Sequence, residues 1–340
     1  MHRVLQFACA FVLWAAATAN AATGYMLRYA SPYPPNHPFS RADQAWIQHV
    51  EQISGGRLRI KAFWGGTLVT SDSATLELEH GIADVALITP IYAHAGARLI
   101  KLQTGFYDGA RTAQQQIAIY ACLRRQFPVL DAELTGVHVL AVQGGELSHF
   151  MTRRRPIRDL SDLHGLRIRV PVELVPIMRN LGADPATMPM DQAYSALSKG
   201  IVDGVAAPAD TLLSLHFAEV VPYFSAIEIP RGAYPARAIS DRAWRKLPED
   251  LQKLLTDSEG FWENQLNISI SRAEQSGYKF GFSHGEQLVP ASPALQAKFD
   301  QLYNNITRDN ARSVGGAEGL AMFDATQREV AAIRAGHPPC

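Results

Sequence analysis

Short apolar runs alternate with amphipathic stretches along most of the chain, the pattern of an α/β protein. Strands are predicted over residues 25–30, 58–63, 84–88, 137–142, 166–170, 186–188, 202–206 and 236–239. Between them, Ala42, Ala45, Trp46, Val50 and Ile53 recur at helical spacing over 39–53, and Gly55-Gly56 stops the run. A shorter helix over 73–80 has Ser71 or Asp72 to cap it and Gly81 to end it, and another over 191–199 ends at Gly200. The stretch 248–280 keeps three- and four-residue spacing through Leu251, Leu255, Trp262, Leu266 and Ile270 with no internal proline. As one helix it would reach about 50 Å, longer than one small domain is wide, so it reads as a spine crossing two domains. A break at Gly260 is the alternative.

Residues 1–22 depart from this pattern. His2 and Arg3 precede an apolar run from Val4 to Ala17, and Ala19-Asn20-Ala21 supplies small residues for a signal peptidase. The run is shorter than the ~20 residues a bilayer span needs, and Cys9 lacks a lipobox, so a cleaved signal peptide is expected. Beyond it the chain is longer than one core usually supports, which predicts two domains. Only Cys122 and Cys340 remain after Cys9, too few for a disulfide framework, and Cys340 is the last residue, where chains fray; the fold is expected to rest on its core alone. The 32 basic and 32 acidic residues leave no global field to attract nucleic acid.

Catalytic signatures are missing from the sequence. No G-x-S-x-G elbow, H-E-x-x-H pair, Walker loop, G-x-G-x-x-G or EF-hand loop occurs, and the 11 histidines have no metal-ligand spacing. Arg153-Arg154-Arg155 reads as a solvated turn, followed closely by Asp159 and Asp162. A non-enzymatic protein without metal or cofactor is expected. Ligands of open α/β sheets bind beyond the carboxyl ends of strands. Those ends carry Trp64-Gly65-Gly66-Thr67, Thr89-Pro90 with Tyr92, Gln143-Gly144-Gly145-Glu146, and Ala207-Pro208 with Asp210. Such a set suits a small-molecule cleft. Strand alternation in Leu166-Arg167-Ile168-Arg169-Val170 puts both arginines on one face, with Arg169 nearest the carboxyl end. A guanidinium there can grip a carboxylate through two parallel hydrogen bonds.

Several ordered stretches resemble the solute-binding proteins of tripartite ATP-independent periplasmic (TRAP) transporters. They are Arg155-Pro156-Ile157, Asp162-Leu163-His164-Gly165-Leu166-Arg167-Ile168-Arg169-Val170-Pro171, Leu181-Gly182-Ala183, Met188-Pro189-Met190, Tyr194-Ser195-Ala196-Leu197 and Val202-Asp203-Gly204 with Pro208. Ser54-Gly55-Gly56-Arg57-Leu58, Gly81-Ile82-Ala83-Asp84 and Trp244-Arg245-Lys246-Leu247-Pro248 extend the likeness over nearly the whole chain. The resemblance implies a two-lobed periplasmic binding protein fold with crossing hinge strands and a long hinge-spanning helix. It places lobe I over 23–146 plus 235–274 and lobe II over 147–234 plus 275–334. It further implies a cleft that closes on a small-molecule carboxylate, and the membrane permease subunits of a TRAP transporter as partner.

Arg169 matches the family's carboxylate clamp, and Thr89, Met190 and Trp64 match cleft positions. Two departures reduce polarity: Ser148-His149 stand where many members have a second arginine, and Ala207 where many have asparagine. A monocarboxylate with an apolar or aromatic body is therefore expected, with Trp64, Tyr92, Phe150, Met190 and Tyr234 as apolar contacts and His149 in part replacing the missing cation. The expected ligand-binding set is Arg169, Trp64, Thr89, His149, Met190, Ala207 and Tyr234. The alternatives are an exported binding protein serving an ATP-driven importer or a sensor, and an exported α/β hydrolase.

Overall fold

In the computed structural model, residues 24–340 are described; the expected signal peptide lies outside them. Two sheets organise the chain. In the first, strands β1 (Tyr25–Ala30), β2 (Leu58–Phe63), β3 (Val85–Leu87), β4 (Val137–Gln143) and β10 (Tyr234–Ser240) lie in the order β2-β1-β3-β10-β4. The second contains β5 (His149–Thr152), β6 (Arg167–Arg169), β7 (Asp184–Ala186), β8 (Gly204–Ala207), β9 (Tyr223–Ser225) and β11 (Gln287–Val289), in the order β11-β9-β5-β8-β6-β7. In both sheets parallel pairs dominate one side, and one strand arriving from the other lobe pairs antiparallel: β10 with β3 and β4, β5 with β8 and β9. The chain crosses between sheets from β4 to β5 and returns from β9 to β10.

Helices cover both faces of each sheet, so each sheet has two apolar clusters. In the first lobe, the helix Pro38–Ile53 starts on a proline, capped by the His37 side chain, and buries Ala42, Trp46 and Val50. Trp46 stacks on Trp262 with ring centroids 3.6 Å apart. Removing either indole should cost about 3–5 kcal/mol. Beneath them lies a fully buried ion pair. Arg237 Nε donates to Asp43 Oδ1 at 2.8 Å, and Tyr29 and Trp262 also donate to the Asp43 carboxylate. Losing one partner would strand the other charge in the core.

The long stretch after Pro248 forms two helices, Glu249–Asp257 and Glu259–Ser283. The junction is Ser258 rather than Gly260. Its hydroxyl accepts from the Trp46 indole at 2.9 Å and donates to the Leu255 carbonyl. The second helix is the spine. Trp262, Leu266 and Ile270 pack in the first lobe, whereas Tyr278 packs in the second. At Gly277 the spine runs so close to the second lobe that a Cβ would lie 2.0 Å from the Ala209 carbonyl oxygen.

Three observations depart from the sequence expectations. First, β5, β9 and β11 were not foreseen, and the strand expected at 186–188 lies at Asp184–Ala186, where Pro185 is tolerated because β7 is a sheet edge. Second, the final helix Pro293–Arg334 is shared between lobes rather than belonging to the second: Phe299 and Tyr303 pack in the second-lobe core, Met322 and Phe323 in the first. Gly316 bends it with φ 64° and ψ −148°. Third, the expectation of a frayed, unbridged terminus fails. Cys340 forms a disulfide with Cys122, their Cα atoms 6.0 Å apart. The packing of Val330 and Ile333 on the first lobe delivers the tail to that position. Among the described residues, no helix is long and apolar enough to cross a membrane.

Candidate functional site

Arg169 ends β6, a strand flanked by β7 and β8 inside the second sheet. Arg167 and Arg169 share a face but not an environment. Arg167 sits at the outer end, exposed, its Nε 3.4 Å from Asp184. Arg169 sits at the carboxyl end, only 1% exposed. Its Nε and Nη2 donate to the Met188 carbonyl at 3.0 and 2.7 Å, which fixes the guanidinium plane. Nη2 also donates to the Tyr92 hydroxyl at 2.8 Å, and the guanidinium carbon lies 5.6 Å from that ring's centroid. Tyr92 follows β3 in the first lobe. The arginine therefore touches both lobes. Nη1 has only a long contact, 3.5 Å to the Ala206 carbonyl, so it retains donor capacity.

Beside this contact the lobes enclose a cavity of about 40 Å³, so the cleft is nearly shut. Its first-lobe wall is aromatic: Tyr33 stacks on His37 at 4.1 Å, and Phe39 meets Tyr33 edge-on at 5.3 Å. Burial pushes the His37 imidazole down to about 3, with Arg237 and Arg41 adding to the effect, so it is a neutral ring. Met190, Pro208, Asp210, Thr211 and Leu215 form the second-lobe wall, and Ile270 of the spine closes one side.

Of the residues expected from sequence, Thr89, Met190 and Tyr234 line this cavity, and Arg169 adjoins it through Tyr92. Gln143 Nε2 donates to the Tyr234 hydroxyl at 3.3 Å while its Oε1 accepts from Arg237, which ties the cavity to the buried ion pair. Trp64, His149 and Ala207 are not brought there. Trp64 packs with Tyr29, ring centroids 5.4 Å apart, in the first-lobe core. Ala207 is buried in the second-lobe core opposite His149. Phe150 likewise packs on Phe299. The His149 ring turns toward the spine, with Nδ1 3.1 Å from the Ile227 carbonyl and Nε2 2.9 Å from the Tyr278 hydroxyl. Burial pushes its pKa down to about 4. A neutral imidazole outside the cavity does not replace a missing cation.

A cation that does line the cavity is Arg231, on the crossing segment between β9 and β10. It packs on Gly145 so closely that a Cβ there would lie 2.7 Å from the guanidinium. Burial opposes its charge, but Tyr234, Tyr92 and Asp210 outweigh this and hold its pKa above the usual arginine value. Inspecting the carboxyl ends of strands misses Arg231 because it precedes a strand. The available signal was an arginine in Pro230-Arg231-Gly232, a tight segment leading into a strand between two lobes. Asp210 also lines the cavity, 7% exposed, with burial pushing its pKa up to about 6.

This arrangement can orient an anion. Arg169 and Arg231 offer charge-assisted donors, and the surrounding rings offer an apolar bed.

Comparison with known proteins agrees with the architecture. The family model for bacterial extracellular solute-binding protein, family 7 (DctP), matches residues 29–313. A solute-binding protein of Roseobacter denitrificans is 33% identical over 38% of this chain and 40% of its own length, and one from Albidiferax ferrireducens is 26% identical over 61% of each. The chain thus matches about two to three fifths of these relatives' length. A monocarboxylate 2-oxoacid-binding periplasmic protein of Nostoc is 24% identical over 78% of this chain and 73% of its own. Among solved structures, a TRAP periplasmic solute-binding protein of Bordetella bronchiseptica with bound mandelate superposes with TM-score 0.79 at 20% identity, covering 91% of this chain and 99% of that one. A TRAP solute-binding protein of Rhodoferax ferrireducens with copurified benzoate gives TM-score 0.80 at 21% identity over the same shares. The two-sheet architecture with a cleft at the sheets' facing ends, together with a family match over most of its length, establishes that the chain belongs to the DctP family of bacterial extracellular solute-binding proteins.

Proposed function

We propose that this protein is the periplasmic solute receptor of a TRAP-type secondary transporter, and that it captures a monocarboxylate with an apolar or aromatic body by closing its lobes. The observation that carries this reading is the buried Arg169 guanidinium at the junction of the lobes, its Nη2 on Tyr92 and its Nη1 in only a long contact. A carboxylate seated there gains contacts from both walls only when the lobes approach, so it favours the closed state by its differential affinity. The stacked Tyr33 and His37 rings, Phe39 and Tyr234 suit a planar body. The mandelate and benzoate bound to the two solved relatives are acids of this kind.

Membrane permease subunits of the TRAP type are the proposed partner, receiving solute from the closed receptor. Binding without turnover fits the cavity, where no hydroxyl among the described lining residues is hydrogen-bonded to a histidine or carboxylate. A thermal-shift and competition screen tests the ligand class. Benzoate, mandelate and aliphatic 2-oxoacids are expected to stabilise the protein more than succinate or a sialic acid. Dicarboxylates displacing aromatic monoacids would overturn the assignment.

A further inference from the structure

Another contact between the lobes lies outside the cavity lining. Glu173 follows β6 in the short turn Val172–Leu174 of the second lobe, and its side chain meets the first lobe just beyond the helix Arg98–Gln103. The approach needs a glycine: a Cβ on Gly105 would lie 3.2 Å from the Glu173 Cβ. Tyr303 joins the same seam, its hydroxyl donating to the Gly105 carbonyl at 2.9 Å. Glu173 Oε2 is buried there without a hydrogen-bond partner among the described residues. The hydroxyl of neighbouring Thr104 donates to the Lys101 carbonyl at 2.6 Å. An ionised carboxylate in such a place is strongly disfavoured, and the neutral acid much less so. Burial accordingly pushes the group up to about 7, although the Arg169 and Arg231 charges pull it down. Four more cationic side chains line the adjoining groove, but each is turned elsewhere. His94 faces Asp72, Arg98 and Lys101 donate to the Val314 and Ala93 carbonyls, and Arg179 is exposed.

We infer that lobe closure takes up a proton at Glu173, so that the receptor shuts, and holds its solute, more firmly as the pH falls. This rests on the carboxylate-binding reading above. Separation of the lobes lifts Gly105 from Glu173 and returns the carboxyl to water, where it ionises as an ordinary glutamate. Closure buries it again, and the neutral form is the one that fits. Solute strengthens the effect. Its carboxylate and an ionised Glu173 compete for the charges of Arg169 and Arg231, so bound solute favours the protonated acid and the protonated acid favours bound solute. Closure raises the group above its ordinary value of 4.5, so the gain in affinity is complete below that value and is lost as pH rises through about 7. Asp210, Glu146 and Glu274 form a separate group where the spine meets Ala209 and Asp210, and burial raises each of them too. The proton held by Glu173 is therefore read as the difference between the wild type and a variant of that residue alone.

Glu173→Gln keeps the shape of the protonated side chain and cannot ionise. Calorimetric titration of benzoate and of mandelate at about pH 7, in two buffers of different ionisation enthalpy, counts the protons exchanged on binding. The wild type is expected to take up about half a proton more per solute than Glu173→Gln. Between about pH 6 and pH 8, where both acids stay ionised, wild-type affinity should fall about tenfold and the variant should lose most of that dependence. At about pH 8 the variant should bind about tenfold or more tighter than the wild type, whereas a side chain with a merely structural role would weaken binding when changed. No proton uptake by the wild type, equal uptake by the two proteins, or weaker binding by the variant at the higher pH overturns the inference and leaves the carboxylate reading intact. Binding of neither acid by the wild type overturns both.

Discussion

Two arginines and a histidine show what a single position contributes. Arg169 is legible in the sequence because alternation fixes its face and Pro171 fixes the strand end beyond it. Its partners were not, because Tyr92 and Met188 come from turns whose paths no local pattern specifies. His149 stands at a position where relatives place a cation, but a sequence position does not say which way a ring turns. Here it turns to Tyr278 and Ile227. His149→Gln should therefore lower stability by about 1–3 kcal/mol through unpaired groups, with solute affinity unchanged. Denaturant melts and calorimetry on the same variant separate the two effects. Arg231→Ala, by contrast, should weaken carboxylate binding about tenfold or more, because it removes a charged donor from the cavity wall.

At the scale of elements, long strands and helices with a single apolar stripe read clearly from the sequence, and β1, β2 and the helix Pro38–Ile53 fall within a residue of expectation. Strands of three or four residues read unevenly: β3 and β6 fall within the expected runs and β8 overlaps one, whereas β5, β9 and β11 do not. The final helix escaped for another reason: it buries different faces in two lobes on either side of the Gly316 bend, so no one stripe persists. The spine helix carries a testable charge. Burial, reinforced by Asp210, pushes Glu274 up to about 8 from an ordinary value of 4.5. The folded state thus holds this proton more tightly than the unfolded chain does. Its contribution to stability is largest at low pH and declines as pH rises from about 5 to 8, then levels off. Melting temperature should fall over that window, and Glu274→Gln should flatten the decline. Asp210 and Glu146 face the same carboxyl and add to its shift, so the flattening is partial.

For the whole molecule, two sheets, two crossing segments, the spine and the bent final helix make lobe closure the natural motion, with contacts across the cleft such as Ser71 Oγ to Asp191 Oδ1 at 2.9 Å. The disulfide lies outside that motion, joining the tail to a first-lobe helix across 218 residues of sequence. Nothing in the sequence foretold it, because pairing depends on where the final helix ends in space. Reduction, or Cys340→Ser, should cost about 2–4 kcal/mol of stability in denaturant melts and leave solute affinity intact.

Everything functional turns on one guanidinium. Isothermal titration of an aromatic monocarboxylate into the wild-type protein and into Arg169→Ala probes it directly. The geometry calls for a loss of about ten- to several-hundred-fold in affinity in the variant. Equal affinity in the two proteins would mean that the acid is held somewhere else.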